Sequence, residues 1–320
     1  MHKSTPLPLY LSGSMQVHYD TTQLPGFKNA VITIGTFDGV HQGHQQLIGA
    51  MKTAATQIEG ETVLVTFQPH PRKILQPERS LELINTLDER IELLSKQCID
   101  HLVIVEFTPA FSKMSADEYI SQFLVERFHP HTIIIGYDHH FGANREGNFS
   151  LLEQKKELFG YQLTEIPKHV LNEISISSTK IREALQNGAI EDANDLLGYS
   201  FSFEGKVIHG DKLGRQLGYP TANLIYTDVD KIHLGEGVFA VWVDTGKEQK
   251  KGMLSIGKRP TLNDTIERVE VNLFDFSGDL YDKTIRLKVI SFLRPQEKYK
   301  SLDELIAQLD RDKSESLNRL

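Results

Sequence analysis

Hydrophobic and polar positions in the first half of the chain alternate between two patterns. Short apolar runs rich in β-branched residues predict strands buried on both faces, and the stretches between them carry apolar residues at helical spacing. The predicted strands are 30–35, 62–67, 101–105 and 132–136, and the predicted helices are 44–58, 88–96 and 115–127. Ser115 and Glu118 have the spacing of a capping box at the start of the last helix. This alternation indicates an α/β domain with a parallel sheet, whose ligands lie at the carboxyl ends of the strands.

The pattern changes after about residue 185. One short helix, Ile190–Leu197, is followed by strand-like runs that are separated by Gly, Asp and Pro clusters rather than by helices. These runs are 201–208, 237–243, 251–256, 268–276 and 284–293, and a final amphipathic helix is predicted over 301–309. Short strands in succession predict a small antiparallel barrel or sandwich. We therefore expect two domains, 1–185 and 186–320, which agrees with the 320-residue length.

Composition and charge narrow the classes of function. The formal net charge of −8 gives little attraction to phosphate backbones or anionic lipid, so nucleic acid and membrane surfaces are not expected partners. The sequence has no run of the roughly 18 apolar residues that a membrane span needs. The first eleven residues lack the apolar core of a signal peptide, so we expect a short extension, with Met15 as an alternative start. The single cysteine, Cys98, favours a reducing cytoplasm.

The densest chemistry of the first half lies between the first predicted strand and its helix. Residues 35–44 read Gly-Thr-Phe-Asp-Gly-Val-His-Gln-Gly-His. Glycines let the backbone approach a phosphate, and the free amides at a helix start face it. His41 and His44 can reach the same anion and donate hydrogen bonds to charge that develops on its oxygens during transfer. The other candidate phosphate-binding residues here are Gly35, Thr36, Phe37, Asp38 and Gly43.

Two alternatives remain open for this stretch. It can be an ordinary strand-to-helix connection that happens to contain two histidines. A zinc site is disfavoured, because the histidines lack the four-residue spacing of a helical pair and neither a cysteine set nor a fixed third ligand accompanies them.

The stretch resembles the H-x-G-H signature of the nucleotidyltransferase superfamily, in its G-x-F-D-G-V-H-x-G-H form. A second block, Ile-Ser-Ser-Thr-Lys-Ile-Arg at 176–182, is similar to the I-S-S-T-x-I-R signature of the same superfamily. Hydroxyls and amides at a helix start hold phosphate oxygens, and an arginine neutralises the leaving pyrophosphate. The candidates are Ser177, Ser178 and Thr179 for phosphate, with Arg182 as a catalytic residue. Alone, Ser-Ser-Thr is also a common helix N-cap.

Two further blocks look like the flavin-side segments of bacterial FAD synthetases. They are Thr-Phe-Gln-Pro-His-Pro-Arg at 66–72 and Gly-Tyr-Asp-His-His-Phe-Gly at 136–142. The resemblance implies flavin binding by His70, Pro71, Asp138 and His139. The second block departs from the usual pattern, in which an aromatic residue commonly fills the place of His139 and a basic residue that of His140. Without the resemblance, a rigid turn and a solvated histidine pair are the alternatives.

A glycine-rich stretch at 205–224 is the dense block of the second half. Gly210, Gly214 and Gly218 recur at four-residue spacing and predict a loop whose backbone approaches a polyphosphate. Thr221 and Asn223 would point to one side of an extended segment, where neutral oxygens suit Mg²⁺ shared with substrate phosphates. A glycine-rich hairpin followed by a strand is the alternative. The block closely resembles the G-R-x-L-G-[FY]-P-T-A-N signature of riboflavin kinases, which implies that Thr221 and Asn223 hold magnesium.

Residues 257–261 and 269–276 match riboflavin kinases in order and spacing. Glu270 lies between Val269 and Val271, so it faces away from the apolar side of the predicted strand. A carboxylate near a nucleophilic hydroxyl can accept its proton during phosphoryl transfer, and the resemblance implies this general-base role for Glu270. Without the resemblance, an outward-facing surface glutamate is the favoured interpretation.

Together the resemblances cover roughly residues 16–312 and identify the chain as a member of the bacterial bifunctional riboflavin kinase/FAD synthetases. They imply a Rossmann-like nucleotidyltransferase domain followed by a six-stranded antiparallel barrel with a terminal helix. The implied chemistry is phosphorylation of riboflavin by ATP to give FMN, then adenylylation of FMN by a second ATP to give FAD and pyrophosphate, with Mg²⁺. Two alternatives remain: an adenylyltransferase with another phosphorylated acceptor, and a flavin- or nucleotide-sensing protein without turnover.

Overall fold

The computed structural model describes residues 15–136, 139–166, 176–210, 214, 217–258 and 267–320. The chain divides into two compact units, Met1–Leu81 with Leu87–Ile176, and Glu82–Thr86 with Ser177–Leu320. The first 14 residues, and with them the expected extension, lie outside the described residues. The units divide between Ile176 and Ser177, nine residues before the boundary expected at 185/186. For the functional domains, the boundary at 185/186 stays a prediction.

The first unit contains a six-stranded sheet in the order β1-β4-β3-β2-β5-β6, and every neighbouring pair is parallel. The strands are β1 Gln16–His18, β2 Val31–Ile34, β3 Thr62–Gln68, β4 His101–Glu106, β5 Thr132–Gly136 and β6 Gln162–Ile166. Successive strand residues enter separate cores, as Ile32 and Val31 do, so both faces of the sheet are covered. The predicted Rossmann-like α/β architecture is confirmed. Strand order reverses at β2, so the carboxyl end of β2 is the expected ligand position.

Helices connect these strands. They are α1 Gln42–Gln57, α2 Pro71–Leu75, α3 Leu87–Ser95, α4 Ala116–Glu118, α5 Glu126–Phe128 and α6 Phe149–Phe159. The predicted capping box is present, since the Glu118 N–H donates to Ser115 Oγ (3.3 Å) and the Ser115 N–H donates to Glu118 Oε2 (2.9 Å). The helix predicted over 115–127 is interrupted, because Tyr119–Val125 between α4 and α5 is π-helical.

The second unit contains a closed antiparallel barrel in the order β10-β11-β8-β7-β12-β9, as predicted. Its strands are β7 Ser202–Ile208, β8 Ala222–Tyr226, β9 Gly237–Asp244, β10 Gln249–Lys258, β11 Glu267–Leu273 and β12 Thr284–Arg294. Alternate residues such as Phe203, Val241 and Leu287 are fully buried and form its core. The strand predicted over 268–276 ends earlier, at Leu273, and Asp275 has a left-handed backbone with φ 50°.

Three helices of the second unit are α7 Ser178–Gln186, α8 Ile190–Leu197 and α9 Leu302–Arg319. The predicted terminal helix is confirmed, but its predicted end at 309 was wrong, because α9 runs to residue 319. Its distal turns bury the polar residues Asp312 and Ser316, which an apolar pattern does not mark. Arg294 of β12 donates to both carboxylate oxygens of Asp312 (2.8–3.1 Å) and fixes α9 to the barrel. In the described part of the chain, no helix has both the length and the apolar character needed to cross a membrane.

Residues 82–86 come from the first half of the sequence but belong to the second unit. Leu83 forms a parallel bridge with Lys231, and its backbone bonds to Asp230 O and to the Ile232 N–H. Lys231 is only 2% exposed, and its ammonium donates to Ile84 O (2.7 Å) while lying 4.6 Å from the Phe201 ring centroid. The second unit is therefore built from two separate stretches of sequence.

Candidate active sites

The turn between β2 and α1, residues 35–41, has an unusual backbone and is called the histidine turn below. Phe37 and Val40 have left-handed backbones, with φ 49° and 38°, and each is only 1% exposed. Such conformations are costly for residues other than glycine and persist only where the surroundings enforce them. The strain lies at the carboxyl end of β2, which favours a functional turn over an ordinary connection.

The two predicted histidines lie together at the start of α1. The His44 N–H donates to Nδ1 of His41 (3.3 Å), so the neutral His41 ring carries its proton on Nε2. The rings stack with centroids 3.6 Å apart and an interplanar angle of 14°. His41 is therefore both the helix cap and a ring with its Nε2–H donor held in a fixed orientation.

His44 lies in an environment that disfavours charge. Burial, then the neighbouring His41 and Arg90, lower the pKa of His44 well below its ordinary value. The ring is therefore neutral near pH 7. Its Nδ1 is buried, and no hydrogen-bond partner exists for it among the described residues. A buried polar atom without a hydrogen-bond partner destabilises the folded protein. This one lies in the stretch that the sequence predicts to bind phosphate.

Arg90 of α3 is part of this site, although the sequence analysis did not single it out. It is 3% exposed. Its Nη1 donates to Thr36 O (2.6 Å), and its Nη2 donates to Phe67 O (3.3 Å) and Gln68 Oε1 (3.2 Å). Burial lowers the pKa of Arg90, and Asp38 opposes that shift. A sequence signal exists, because position 90 follows Leu87 by three residues and precedes the buried Leu94 by four, on the inward face of the helix.

The proposed flavin-side residues of the first unit are only partly described. His70 is buried and caps α2, since the Arg72 N–H donates to its Nδ1 (3.1 Å) and Pro71 begins the helix. His139 donates its N–H to Gly136 O (3.0 Å), with its ring 5.8 Å from that of Phe141. Asp138 lies outside the described residues. These contacts give His70 a structural task, and flavin binding by this set stays a prediction.

The Ser-Ser-Thr block begins α7. Ser177 is the N-cap, and its Oγ accepts from the Lys180 N–H (3.3 Å). Arg182 donates through Nε to Glu82 O (2.8 Å), in the segment that joins the second unit. Ser177, Ser178, Thr179 and Arg182 belong to the second unit, whereas both histidines belong to the first. Their action on one phosphate therefore stays a prediction.

The barrel brings three other predicted residues together. Glu270 of β11 lies directly opposite Asn223 of β8 in the antiparallel register. The Thr221 hydroxyl donates to Glu270 Oε2 (3.1 Å). Val269 and Val271 are buried while Glu270 is half-buried, so the predicted alternation is present. Strand pairing thus places a carboxylate beside a hydroxyl and an amide on the outer face of the barrel.

Two of the predicted loop glycines are required by the protein's own packing. A Cβ atom at Gly210 would overlap the side-chain amide of Asn223, and one at Gly214 would overlap the carbonyl oxygen of Tyr219. The glycines therefore let the chain approach its own proposed magnesium ligand and the following turn. Contact of Gly210, Gly214 and Gly218 with a polyphosphate stays a prediction.

A cleft of about 630 Å³ lies between this loop, the end of β11 and α9. The Tyr219 hydroxyl donates to Asp310 Oδ1, and burial together with Asp310 raises the pKa of Tyr219 to about 12. The Lys313 ammonium lies 5.5 Å from the Phe274 ring centroid. The residues that line the cleft include Leu217, Gly218, Tyr219, Pro220, Leu273, Phe274, Phe276, Ile306, Asp310 and Lys313. This cleft was not predicted from the sequence, because the last helix was expected to end before residue 310.

The donors at the barrel site fit a magnesium ion that is shared with substrate. Thr221 and Asn223 supply neutral oxygens beside the Glu270 carboxylate. Mg²⁺ is usually held by one or two protein groups together with substrate phosphates rather than by an all-protein cage. No group of three or more His, Cys, Asp or Glu side chains suited to a metal occurs in the described ranges.

Known proteins resemble the chain along most of its length. A family model for FAD synthetase matches residues 25–180, and one for riboflavin kinase matches 197–320. A bifunctional riboflavin kinase/FMN adenylyltransferase from Haemophilus influenzae is 35% identical over 287 residues, covering 89% of this chain and 92% of the relative. Another of that name from Listeria monocytogenes is 36% identical over 290 residues, with 90% and 91% covered. A crystal structure described as a macrolide-efflux protein from Streptococcus pneumoniae matches with a TM-score of 0.84 and 29% identity, over 95% of this chain and 99% of that one.

Proposed function

The chain belongs to the bifunctional riboflavin kinase/FMN adenylyltransferase family, and we propose that it catalyses both reactions in succession. The barrel domain, 186–320, transfers the γ-phosphoryl group of ATP to the ribityl 5′-hydroxyl of riboflavin. The Rossmann-like domain, 1–185, joins the resulting FMN to the AMP part of a second ATP. The gap between the two stretches that the family models match supports this proposed boundary. ATP, riboflavin and FMN are the partners, and nucleic acid and membrane are not.

The kinase reaction is supported by two contacts of Glu270. Its carboxylate accepts from the Thr221 hydroxyl, and its backbone lies opposite Asn223 in the strand register. Glu270 accepts the proton of the 5′-hydroxyl while that oxygen bonds to the γ-phosphorus and ADP leaves. Thr221 and Asn223 would hold Mg²⁺, which when bound neutralises charge on the phosphates. The cleft beside Tyr219 and Phe274 supplies aromatic and aliphatic surface for the flavin ring.

The adenylyl transfer needs no covalent intermediate with the protein. An oxygen of the FMN phosphate bonds to the α-phosphorus of ATP, and the bond to pyrophosphate breaks. The Nε2–H of His41 and the neutral ring of His44 donate to the oxygens on which charge grows. The backbone of the histidine turn holds the ATP phosphates. The leaving pyrophosphate is stabilised by Ser177, Ser178, Thr179 and Arg182. FMN is held by His70, Pro71, Asp138 and His139. The strained backbone of the histidine turn supports this assignment.

A reducing cytoplasm is the location that we propose. Its support is that the only cysteine of the sequence, Cys98, is an exposed free thiol.

The test uses radiolabelled ATP with riboflavin or FMN as the sole acceptor, and separates the products by chromatography. We expect riboflavin to give FMN and ADP, and FMN to give FAD and pyrophosphate. Adenylylation of another phosphate ester, with FMN left unchanged, would assign the first domain a different acceptor. Flavin binding without formation of ADP or pyrophosphate would identify a sensor and refute both activities.

A further inference from the structure

Arg90 joins two turns that follow neighbouring strands of the first unit. Thr36 O lies in the histidine turn after β2, and it accepts from Arg90 Nη1 (2.6 Å). Phe67 O and Gln68 Oε1 lie where β3 leads into residues 68–71, called the proline turn below, and they accept from Arg90 Nη2 (3.3 and 3.2 Å). One guanidinium therefore bonds to both turns at the carboxyl edge of the sheet.

Burying the Arg90 guanidinium costs more free energy than a purely structural link between the two turns requires. A cation that is 3% exposed has lost nearly all of its hydration, and its Nε has no hydrogen-bond partner among the described residues. Thr66 already holds the histidine turn, since its hydroxyl donates to the same Thr36 O (3.0 Å). What Arg90 adds is the second bond, to the proline turn, and a positive charge beside His44.

We propose that Arg90 is a positioning residue for adenylyl transfer, which sets the distance between the histidine turn and the proline turn. This inference rests on the proposed function, in which the first turn holds ATP phosphates and the second borders FMN. A displacement reaction without a covalent intermediate depends on the placement of its two reactants, and an error of about 1 Å costs on the order of 10²-fold in rate. The planar fork of arginine reaches both turns, whereas the single ammonium of lysine cannot reproduce that geometry.

The charge of Arg90 gives the inference a second readout. The groups that act on His44 are His41 from the cap of its own helix and Arg90 from α3, and Asp38 acts in turn on Arg90. Because His44 donates as a neutral ring, activity is lost as pH falls through its pKa. Removing the positive charge of Arg90 raises that pKa, so the acidic limb of the rate profile moves to higher pH.

The experiment compares Arg90→Lys and Arg90→Met in the full chain. Lys96→Met is the matched control, because it removes an exposed cation that directly follows the end of α3 and forms an i,i+4 ion pair with Glu92. For each protein, kcat and KM for FMN and ATP are measured in FAD formation across pH, and the His44 ring is titrated by NMR. Riboflavin phosphorylation in the same preparations shows whether the activity of the second unit is unchanged.

We expect kcat for FAD formation to fall by about 10²-fold in Arg90→Lys, with the acidic limb unmoved. In Arg90→Met we expect at least that loss, together with an upward shift of the acidic limb and of the His44 titration. Lys96→Met should match the wild type in every measurement. Wild-type kcat and KM in Arg90→Lys would overturn the proposal, and so would an unfolded first unit in that variant, which would make the role purely structural. A wild-type protein that forms no FAD would instead refute the proposed function, and the His44 titration would still report the charge effect.

Discussion

The two candidate sites are assembled in different ways. The first lies on turns that follow parallel strands β2 and β3, and its parts come from residues 35–44, 68–71 and 90. The second lies on two paired antiparallel strands, where register alone places Glu270 opposite Asn223. In the barrel site, strand register and the two-residue alternation of side chains largely determine which residues meet. In the sheet site, the arrangement depends on the shapes of turns. A change at one position should therefore propagate farther in the first unit than in the second.

The sites also differ in their contact with water. His41 is buried, and burial is the main cause of the lowered pKa of His44. Thr221 is exposed and Glu270 half-buried on the outside of the barrel. The first site can therefore keep a ring neutral by excluding water, whereas the carboxylate of the second site lies close to solvent.

A glutamine at position 270 is the sharpest way to separate the two sites. Glu270→Gln keeps the volume and the contact with Thr221 but removes the proton acceptor. Riboflavin phosphorylation should fall by about 10²–10⁴-fold, because that is the usual contribution of a general base. ATP binding should survive, and added FMN should still become FAD at a near-normal rate.

Product analysis with each acceptor, and binding of ATP by calorimetry, measure these effects. Glu236→Gln, an exposed carboxylate of the same unit, is the control and should leave both reactions unchanged. Normal riboflavin phosphorylation in Glu270→Gln would return this residue to a plain surface position. Loss of FMN adenylylation as well would show that the two domains are not catalytically independent.

The reciprocal change is His44→Ala in the first unit. FAD formation should fall by roughly 10²-fold, because a neutral hydrogen-bond donor to developing charge is lost. Riboflavin phosphorylation should be almost unchanged, which initial rates with either acceptor would show. Equal losses in both reactions would indicate misfolding, and an unchanged rate of FAD formation would remove the role assigned to His44.

The sequence predicted the barrel site better than the sheet site, for a physical reason. Alternation along a strand determines which face Glu270 occupies, and that expectation is confirmed in the structure. Arg90 was missed because a charged residue on the inward face of a helix breaks the apolar pattern that marks such a face. The positive φ of Phe37 and Val40 could not be predicted either, since both residue types usually avoid that region.

The two edge strands of the sheet and the distal turns of α9 escaped prediction and share one property. Strands β1 and β6 are the two edges of the sheet, and residues such as Gln16, Gln162 and Glu165 give them no continuous apolar run. The distal turns of α9 bury Asp312 against Arg294 rather than an apolar side chain. Hydrophobic periodicity found the central strands, whose partners cover both faces, and failed where polar contacts replace apolar ones.

A smaller effect on riboflavin phosphorylation is expected at Gly210, where the barrel loop packs against Asn223. In Gly210→Ala the new methyl group would overlap the Asn223 amide and displace it. Riboflavin phosphorylation should fall about tenfold, less than a displacement of a full ångström would cost. The KM for magnesium–ATP should rise in the same assay. Gly26→Ala, where a Cβ has no atom within 4 Å, is the control, and equal behaviour of the two variants would contradict this packing argument.

The smallest expected effect concerns His139, which departs from the family pattern. Its ring lies 5.8 Å from Phe141, which in turn stacks on Tyr119 at 4.8 Å, so an aromatic side chain at 139 would extend an existing cluster. A phenyl ring presents a larger apolar face to a flavin than imidazole does, and aromatic pairs contribute about 0.5–1.5 kcal/mol. His139→Phe should therefore lower the KM for FMN in FAD formation by roughly 2- to 10-fold and leave the dependence on ATP unchanged. Steady-state rates at varied FMN measure this change, with the kinase reaction as the internal control. A higher KM for FMN would show that the His139 ring itself hydrogen-bonds to the flavin, and would remove the stacking surface from this side of the first site.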